Sequence, residues 1–361
     1  MRAKKKYRFE PDYAVPPGET LLEVMKSLQI TQKSMAIRLG LTQQSLIRII
    51  KSEQPISYET ANRLELVTQV SAKFWNNLEA TYREQIAKLQ EREQFEHEIE
   101  WLRQIPVNEL IARGAIRYFK EKVDQLREVL RFYGVGHARA WRDLWVKAPA
   151  VATRRSQCFD FHPGPASVWV RLGELQAQNI ECKPHSKPEF MRALKDIRKL
   201  TKEDPIEFVG KMRSLCAESG VALAFVPEMK KVPWNGATKW LTPEKAMIIL
   251  NLRGKGEDKF WFSFFHEASH VLNDSKKDFL INDGSQKDPR EKTANAFAAD
   301  FLIPSKYDQQ IRKIRCKAEI INLAMKLGIS PGIVAGRYQH LKKKWSYYKG
   351  LIRTFKWEHA S

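Results

Sequence analysis

The chain of 361 residues holds only four cysteines, Cys158, Cys182, Cys216 and Cys316, and no two of them form a CxxC pair. That scarcity excludes a disulfide framework and a thiolate metal site, and predicts ordinary, mostly buried thiols. Long apolar runs are missing as well: nothing approaches the roughly 20 consecutive apolar residues of a membrane span. The opening MRAKKKYRFE lacks the apolar segment that a secretory signal needs. A cytoplasmic protein without a membrane partner is expected. Neither an internal repeat nor a low-complexity tract stands out.

Positive charge, by contrast, is plentiful. There are 62 Lys and Arg against 42 Asp and Glu, a net +20, which makes contact with a polyanion plausible without naming it. A merely basic surface is the alternative. Hydrophobic residues make up 43% of the chain, ample for packed cores, and the length predicts two or three domains at roughly 100 to 200 residues each.

Along the chain, ETLLEVMKSL (Glu19 to Leu28) has apolar residues at helical spacing, and TQKSMAIRLGLTQQSLIRIIK follows it. Thr31 can cap a helix burying Met35, Ala36 and Leu39, and Gly40 then stops it. Thr42 can cap a second helix with Leu46, Ile49 and Ile50 inside. Two short helices around a glycine turn, with Ala36 four positions before the glycine, form the pattern of a helix-turn-helix. Two more helices are predicted from Ser57 to about Gln104. The second ends in the densely charged REQIAKLQEREQFEHEIE, read as a solvated helix or linker. Residues 101–142 are helical by their apolar spacing, DFHPGPAS reads as a boundary loop, and Pro188 to Ser219 offers further helices. The period then changes. VALAFVPEM, ATKWLT and KAMIILNL read as a small antiparallel meander, and helical pattern resumes from Asp258. The fold class predicted is mainly α with a small antiparallel β-sheet (α+β).

Inside the apolar run WFSFFHEASHVL stand His266, Glu267 and His270. Residues four apart share a helix face, so the two imidazoles can serve one ion. Glu267, one step round, would reach a water on the metal rather than the metal itself, the arrangement of HExxH hydrolases. The alternative is a core helix that happens to carry two histidines. By composition HExxH arises by chance in about one such sequence in a hundred, and unpaired polar groups on a Phe-rich helix would be costly. A catalytic zinc needs a third ligand. PREKTANAFAADFLIP has a buried stripe of Ala294, Phe297, Ala298, Phe301 and Leu302, with Glu291 and Asn295 beside it. Glu291 is placed as the third ligand and Asn295 as a residue that orients a ligand. Asp300 falls on another face, whereas Asp274 and Asp283 are further donors in a loop. Zinc chemistry with Glu267 as acid/base implies peptide-bond hydrolysis, with an extended substrate along an edge strand.

In the helix-turn-helix reading, Gln43, Gln44, Ser45 and Arg48 would meet base edges, with Lys51 at the far end of the second helix. Residues 1–51 hold ten Lys and Arg and four Asp and Glu, a net +6, which favours contact with the phosphate backbone of double-stranded DNA. A helical protein-interaction module is the alternative.

The run from Val221 to about Pro304, with GVALAFVPEM, GATKW, FWFSFFHEASHVLN and EKTANAFAADFLIP, resembles the ImmA/IrrE family of zinc metallopeptidases, whose zincin-like domain acts on helix-turn-helix repressors. The resemblance implies one zinc held by His266, His270 and Glu291, with Glu267 as the catalytic acid/base. Ser269 stands where the family usually has glycine, and Thr293 where an acid is frequent. The segment from PPGETLLEVMK to FWNNLEATY is similar to HigA-like, XRE-type antitoxin repressors. That likeness implies operator binding, often as a homodimer, and raises a toxin partner. The stretch ISPGIVAGRYQHL resembles the helical tail that follows the peptidase in such chains, either a hairpin packed on that domain or a second DNA contact.

The expected organisation is a HigA-like domain over 1–82, a helical linker over 83–160, the peptidase domain over 161–315 and a basic helical tail over 316–361. Two functions are weighed. One is a DNA-bound zinc peptidase that cuts a repressor, a partner or its own N-terminal module, in a mobile-element, stress or toxin–antitoxin context. The other is an antitoxin-like repressor whose peptidase-like domain senses a ligand or holds a toxin without cleaving.

Overall fold

The protein is described by a computed structural model, which covers residues 14–147, 162–276, 280–282 and 289–357. Cys158, Asp160, Asp283 and the basic arm MRAKKKYRFE lie outside the described residues. The chain forms two compact units, Met1–Ile99 and Glu100–Ser361.

The first unit is all-helical: α1 (Pro17–Ser27), α2 (Gln32–Leu39), α3 (Gln43–Ile50), α4 (Tyr58–Thr68) and α5 (Ala72–Glu98). The hydroxyls of Thr31 and Thr42 accept from the backbone N–H groups of Ser34 and Ser45, at 3.2 and 3.1 Å, so each caps the helix after it. Leu21, Met35, Leu39, Leu46, Ile49 and Trp75 share one core. On α5, Glu79 accepts from the Ile56 N–H at 3.1 Å and pairs with Arg83, which donates to the Ser52 carbonyl. These bonds clamp the connection between α3 and α4. The predicted domain end at residue 82 falls inside the unbroken α5, whose later turns present the expected charged, mostly exposed surface.

In the second unit, α6 (Val107–Ala112), α7 (Lys122–Tyr133) and α8 (Ala138–Arg142) surround an aromatic cluster. Trp101 lies 5.3 Å from Trp141 and Tyr133 lies 5.7 Å from Trp145, centroid to centroid. Arg113 donates to the carbonyls of Pro227 and Glu228, so this stretch is packed into the unit rather than set apart as a linker. The predicted loop HPGPAS is instead the start of α9 (Pro163–Gln178), because proline at the first helical position gives up no hydrogen bond. Then come α10 (Lys187–Lys199) and α11 (Pro205–Glu218).

The sheet departs from the predicted meander. Its strands β1 (Val221–Phe225), β2 (Gly236–Thr242), β3 (Lys245–Leu250) and β4 (Leu280–Asn282) lie in the order β1-β3-β2-β4. β2 and β3 form the expected antiparallel hairpin, but β1 lies parallel to β3, from Val221 opposite Ala246 to Phe225 opposite Leu250. VALAF and AMIIL are unbroken apolar runs, buried almost throughout. Such runs suit parallel strands covered on both faces, and residues 226–244, which include β2, are long enough to carry the chain from β1 to the parallel β3. β4, absent from the sequence reading, pairs antiparallel with β2. The class is mainly α with a small mixed sheet.

The remaining helices are α12 (Glu257–Asn273), α13 (Pro289–Leu302), α14 (Asp308–Lys313), α15 (Lys317–Leu327) and α16 (Pro331–Lys342). Trp261, Phe264, Phe265 and Ala268 of α12 are fully buried, in one core with Phe208, Ile248, Ala298, Ile320, Val334 and Tyr338. The C-terminal helices therefore belong to the core that holds α12. They also contain a repeat that the sequence reading missed: AMKLGISPGIV (324–334) matches AIRLGLTQQSL (36–46) in spacing. Gly40 and Gly328 both take the left-handed conformation, φ +65 and +68, and both N–H groups bond the alanine carbonyl four residues back. Burial separates the two copies. Gln43, Gln44 and Arg48 of α3 are exposed, whereas Gly332, Ile333, Val334 and Ala335 of α16 are buried, so the first turns of α16 are core and offer no recognition face like that of α3.

Among the described residues no single helix is long and apolar enough to cross a membrane. Cys216 is buried, Cys182 half-buried and Cys316 exposed, all as free thiols. The start of α12 is tied to the chain's end by Glu257, which is fully buried and accepts from the Arg353 guanidinium and backbone N–H, at 2.8 and 3.0 Å. Arg353→Ala would strand that carboxylate. It is expected to destabilise the second unit by about 3 kcal/mol, read from urea unfolding of the full chain.

Candidate metal centre

On α12, His266 and His270 stand one turn apart and fully buried, and α13 lies against them with Glu291 in its first turn. The two Nε2 atoms are 3.1 Å apart. The Glu291 carboxylate approaches them at 3.1 Å (His266) and 3.3 Å (His270). All three potential ligand atoms lie within 4.8 Å of one another.

The opposite ring nitrogens are occupied. His266 Nδ1 meets the Asn295 side-chain oxygen at 3.0 Å, and His270 Nδ1 meets the Asp274 carboxylate at 2.6 Å. An Nδ1 that donates its proton leaves Nε2 as a lone pair, so both imidazoles and a carboxylate aim electron pairs at one point. Such a donor set fits a divalent metal, and two histidines with one carboxylate is the ligand set of a catalytic zinc site. Asp274, placed from sequence in a loop as a further donor, instead orients His270. Asp300 is exposed and accepts from the Ser305 N–H, away from the cluster.

Glu267 is fully buried behind this cluster. Its Oε2 accepts from the Thr238 hydroxyl at 2.7 Å, while its Oε1 has no hydrogen-bond partner. Burial pushes its carboxyl pKa up, against the pull of His266, His270 and Thr238. Gly236 is what lets the carboxylate sit there: a Cβ on it would stand 2.7 Å from Oε1. Sequence reasoning missed Gly236 and Thr238. The available signal was a small and a hydroxyl residue, two apart and so on one face, at the buried start of a strand. Ser269, where the resembled family has glycine, is buried and accepts from the Asn273 amide at 3.2 Å, and exposed Thr293 donates to the Pro289 carbonyl.

In the first unit, Gln43, Gln44, Arg48 and Lys51 are exposed on or just beyond α3. Ser45 differs: its hydroxyl accepts from Thr42 at 2.9 Å and so takes part in the helix cap.

Without metal the cluster holds a proton. Burial works against a charged His270, but Asp274 and Glu291 outweigh it and raise its pKa to about 10 from 6.5. Burial likewise opposes the charged Glu291, yet the two histidines bring it down to about 2 from 4.5. The raised His270 stabilises the fold below pH 6.5, and this is lost as pH rises through 10. The lowered Glu291 stabilises above pH 4.5, and this is lost as pH falls through 2. Chelator-treated protein should therefore lose melting temperature as pH rises from 6.5 towards 10, and added zinc should restore it by taking the proton's place. A melting temperature that stays flat over that range would contradict the assignment. Asp274→Ala should weaken zinc binding by about 10- to 100-fold in competition with a metal-responsive dye.

The comparisons with known proteins fall on these two regions. The peptidase-family model described as the IrrE N-terminal-like domain matches residues 226–338. None of the curated proteins compared with the chain matches it. Among solved structures, the Pseudomonas aeruginosa antitoxin HigA with the higBA promoter is 30% identical, covering 24% of this chain and 95% of that one at a TM-score of 0.22. A Pseudomonas aeruginosa protein in complex with its operator DNA is also 30% identical, with coverages of 24% and 94% and a TM-score of 0.22. A Nostoc punctiforme protein described as an antidote of a plasmid maintenance system is 24% identical, with coverages of 23% and 92% and a TM-score of 0.23. Residues 226–338, which hold His266, Glu267, His270 and Glu291, are thus the stretch that matches the IrrE N-terminal-like peptidase domain, and the likenesses to the antitoxin structures cover about a quarter of the chain.

Proposed function

We propose that the protein is a DNA-binding, zinc-dependent peptidase that hydrolyses a peptide bond in a transcriptional repressor and so relieves repression. The observation that carries this reading is the convergence of the His266, His270 and Glu291 ligand atoms beside the unpartnered Oε1 of Glu267. Zinc bound there supplies a Lewis acid that polarises a scissile carbonyl and makes water more acidic. His266, His270 and Glu291 would hold it, with Asn295 and Asp274 keeping both rings in orientation. Glu267 takes a proton from the attacking water as its oxygen bonds to the carbonyl carbon. It returns that proton to the amide nitrogen as the C–N bond breaks. Thr238, by occupying Oε2, leaves Oε1 as the oxygen that exchanges the proton.

In the first unit, the exposed face of α3 would enter the major groove of an operator. Gln44 is suited to adenine and Arg48 to guanine or phosphate, and Lys51 to the backbone. Gln43 adds a further amide at the same end, and Ser45, tied to Thr42, contributes mainly by shaping the helix start.

A second reading, an antitoxin-like repressor whose peptidase domain does not cleave, draws on one observation. β4 pairs along β2 at Gly236, Ala237 and Thr238, the stretch beside Glu267 where an extended substrate would add. The two readings separate on purified protein carrying stoichiometric zinc, incubated with repressors encoded next to it. Glu267→Gln should keep the zinc and lose cleavage by about a hundredfold or more. Wild-type protein that holds zinc yet leaves every such repressor and itself intact would favour the second reading. For the DNA unit, Arg48→Ala and Gln44→Ala should each weaken binding to the protein's own promoter by about 1 to 3 kcal/mol. Wild-type affinity in both variants would remove α3 as the recognition helix.

A further inference from the structure

The positive charge of the chain is unevenly spread. Residues 309–357 contain twelve Lys and Arg and a single acid, Glu319, a net +11 out of the chain's +20. Some of these cations are structural: Arg353 is bound to Glu257, Arg337 to Asp308, and Arg312 to the Leu341 carbonyl. Others gather in the turn after α16, whose sequence from Lys342 to Lys349 is KKKWSYYK. Lys342, Lys343, Lys344 and Lys349 are exposed there, and the Arg312 bond brings the basic end of α14 alongside.

This turn is held rigidly. The Gln339 amide donates to the Tyr347 carbonyl at 2.7 Å, the Lys344 N–H donates to the Gln339 carbonyl at 3.1 Å, and the Tyr348 ring packs 4.9 Å from buried Tyr338. Two aromatic side chains of the same turn stay exposed, Trp345 at 59% with its ring 6.3 Å from that of His340, and Tyr347 at 46% with the Lys344 ammonium 4.8 Å over one face. Large rings held in the open among lysines are unusual on a surface that needs only charge. A duplex offers phosphates but no free base faces, so it would leave the rings unused. A lipid surface is met by an amphipathic helix with a broad apolar face, whereas residues 343–348 form a turn. Unpaired nucleotides use both features, with phosphates on the ammonium groups and bases stacked on the rings.

We infer that the basic aromatic turn Lys342–Lys349 is a binding surface for single-stranded nucleic acid, separate from the recognition helix and independent of the peptidase reading. The turn is the sequence-tolerant kind of site, in which lysines track the backbone and Trp345 and Tyr347 each take a base. Affinity should fall steeply with salt.

The test uses the full chain and a fluorescein-labelled oligo(dT) of about 20 nucleotides, followed by anisotropy. Trp345→Ala should weaken binding about tenfold, and Trp345→Phe, which keeps a stacking face, should restore most of it. Replacing Lys342, Lys343 and Lys344 together by Glu should weaken binding further and reduce the salt slope by about 2. Thermal melts of each variant establish that these exposed positions leave the fold intact. Unchanged oligo(dT) affinity in both the Trp345→Ala and the triple variant overturns the proposal. So does a loss of oligo(dT) binding on Arg48→Ala with none in the turn variants, which would assign the strand to α3. Binding of a duplex of equal length through this turn as tightly as oligo(dT), with no effect of Trp345→Ala, would make the surface a duplex-backbone contact and also overturn it. A turn that binds anionic phosphatidylserine vesicles and not oligo(dT) would do the same.

Discussion

Two imidazole nitrogens and a carboxylate, each aiming lone pairs at the others across 3.1 to 3.3 Å in a buried interior, repel unless a cation or a proton lies among them. Much of the second unit can be understood as what keeps that arrangement in place. α12 is gripped by aromatic packing along its length, α13 brings Glu291 across it, and Asn295 and Asp274 fix which nitrogen of each ring faces inward. Gly236 and Thr238 on β2 then set the Glu267 carboxylate against the cluster, one oxygen bound and one free. Burial strengthens every electrostatic interaction in the group, and for the same reason it makes each missing partner expensive.

The repeated helix-turn-helix spacing illustrates how one local pattern serves two ends. Around Gly40 and around Gly328 the chain turns in the same way, because the glycine conformation and the alanine carbonyl that receives its N–H are local features. The fate of each second helix is then decided by the residues beyond the turn. Gln43, Gln44 and Arg48 are polar and stay in water, whereas Ile333, Val334 and Ala335 are apolar and disappear into the core around α12. The first copy has a surface to offer DNA. The second offers its surface to the protein itself.

Much of this was legible in the residues. Helices α2 and α3, their threonine caps and Gly40 were readable because each depends on neighbours a few positions away, and so was the pairing of His266 with His270 on one face. Glu291 and Asn295 stand beside the apolar stripe of α13 in the sequence, but that place alone does not say that Asn295 meets His266 rather than solvent. The sheet was read with the wrong neighbours for β1 because strand order is a matter of long-range pairing. VALAF is an unbroken apolar run where an antiparallel edge would alternate, which is the mark of a strand covered on both faces.

The local elements, the chemistry of the donor set and the concentration of charge near the C-terminus follow from residue type and from spacings of a few positions. That Thr238 and Gly236 belong beside Glu267, that Asp274 meets His270, that the C-terminal helices are core and that Trp345 and Tyr347 stay exposed follow from the packing of the folded chain. Those outcomes require segments tens of residues apart to meet, and which ones meet is selected by the burial of the whole apolar surface, a cooperative property that no short stretch carries.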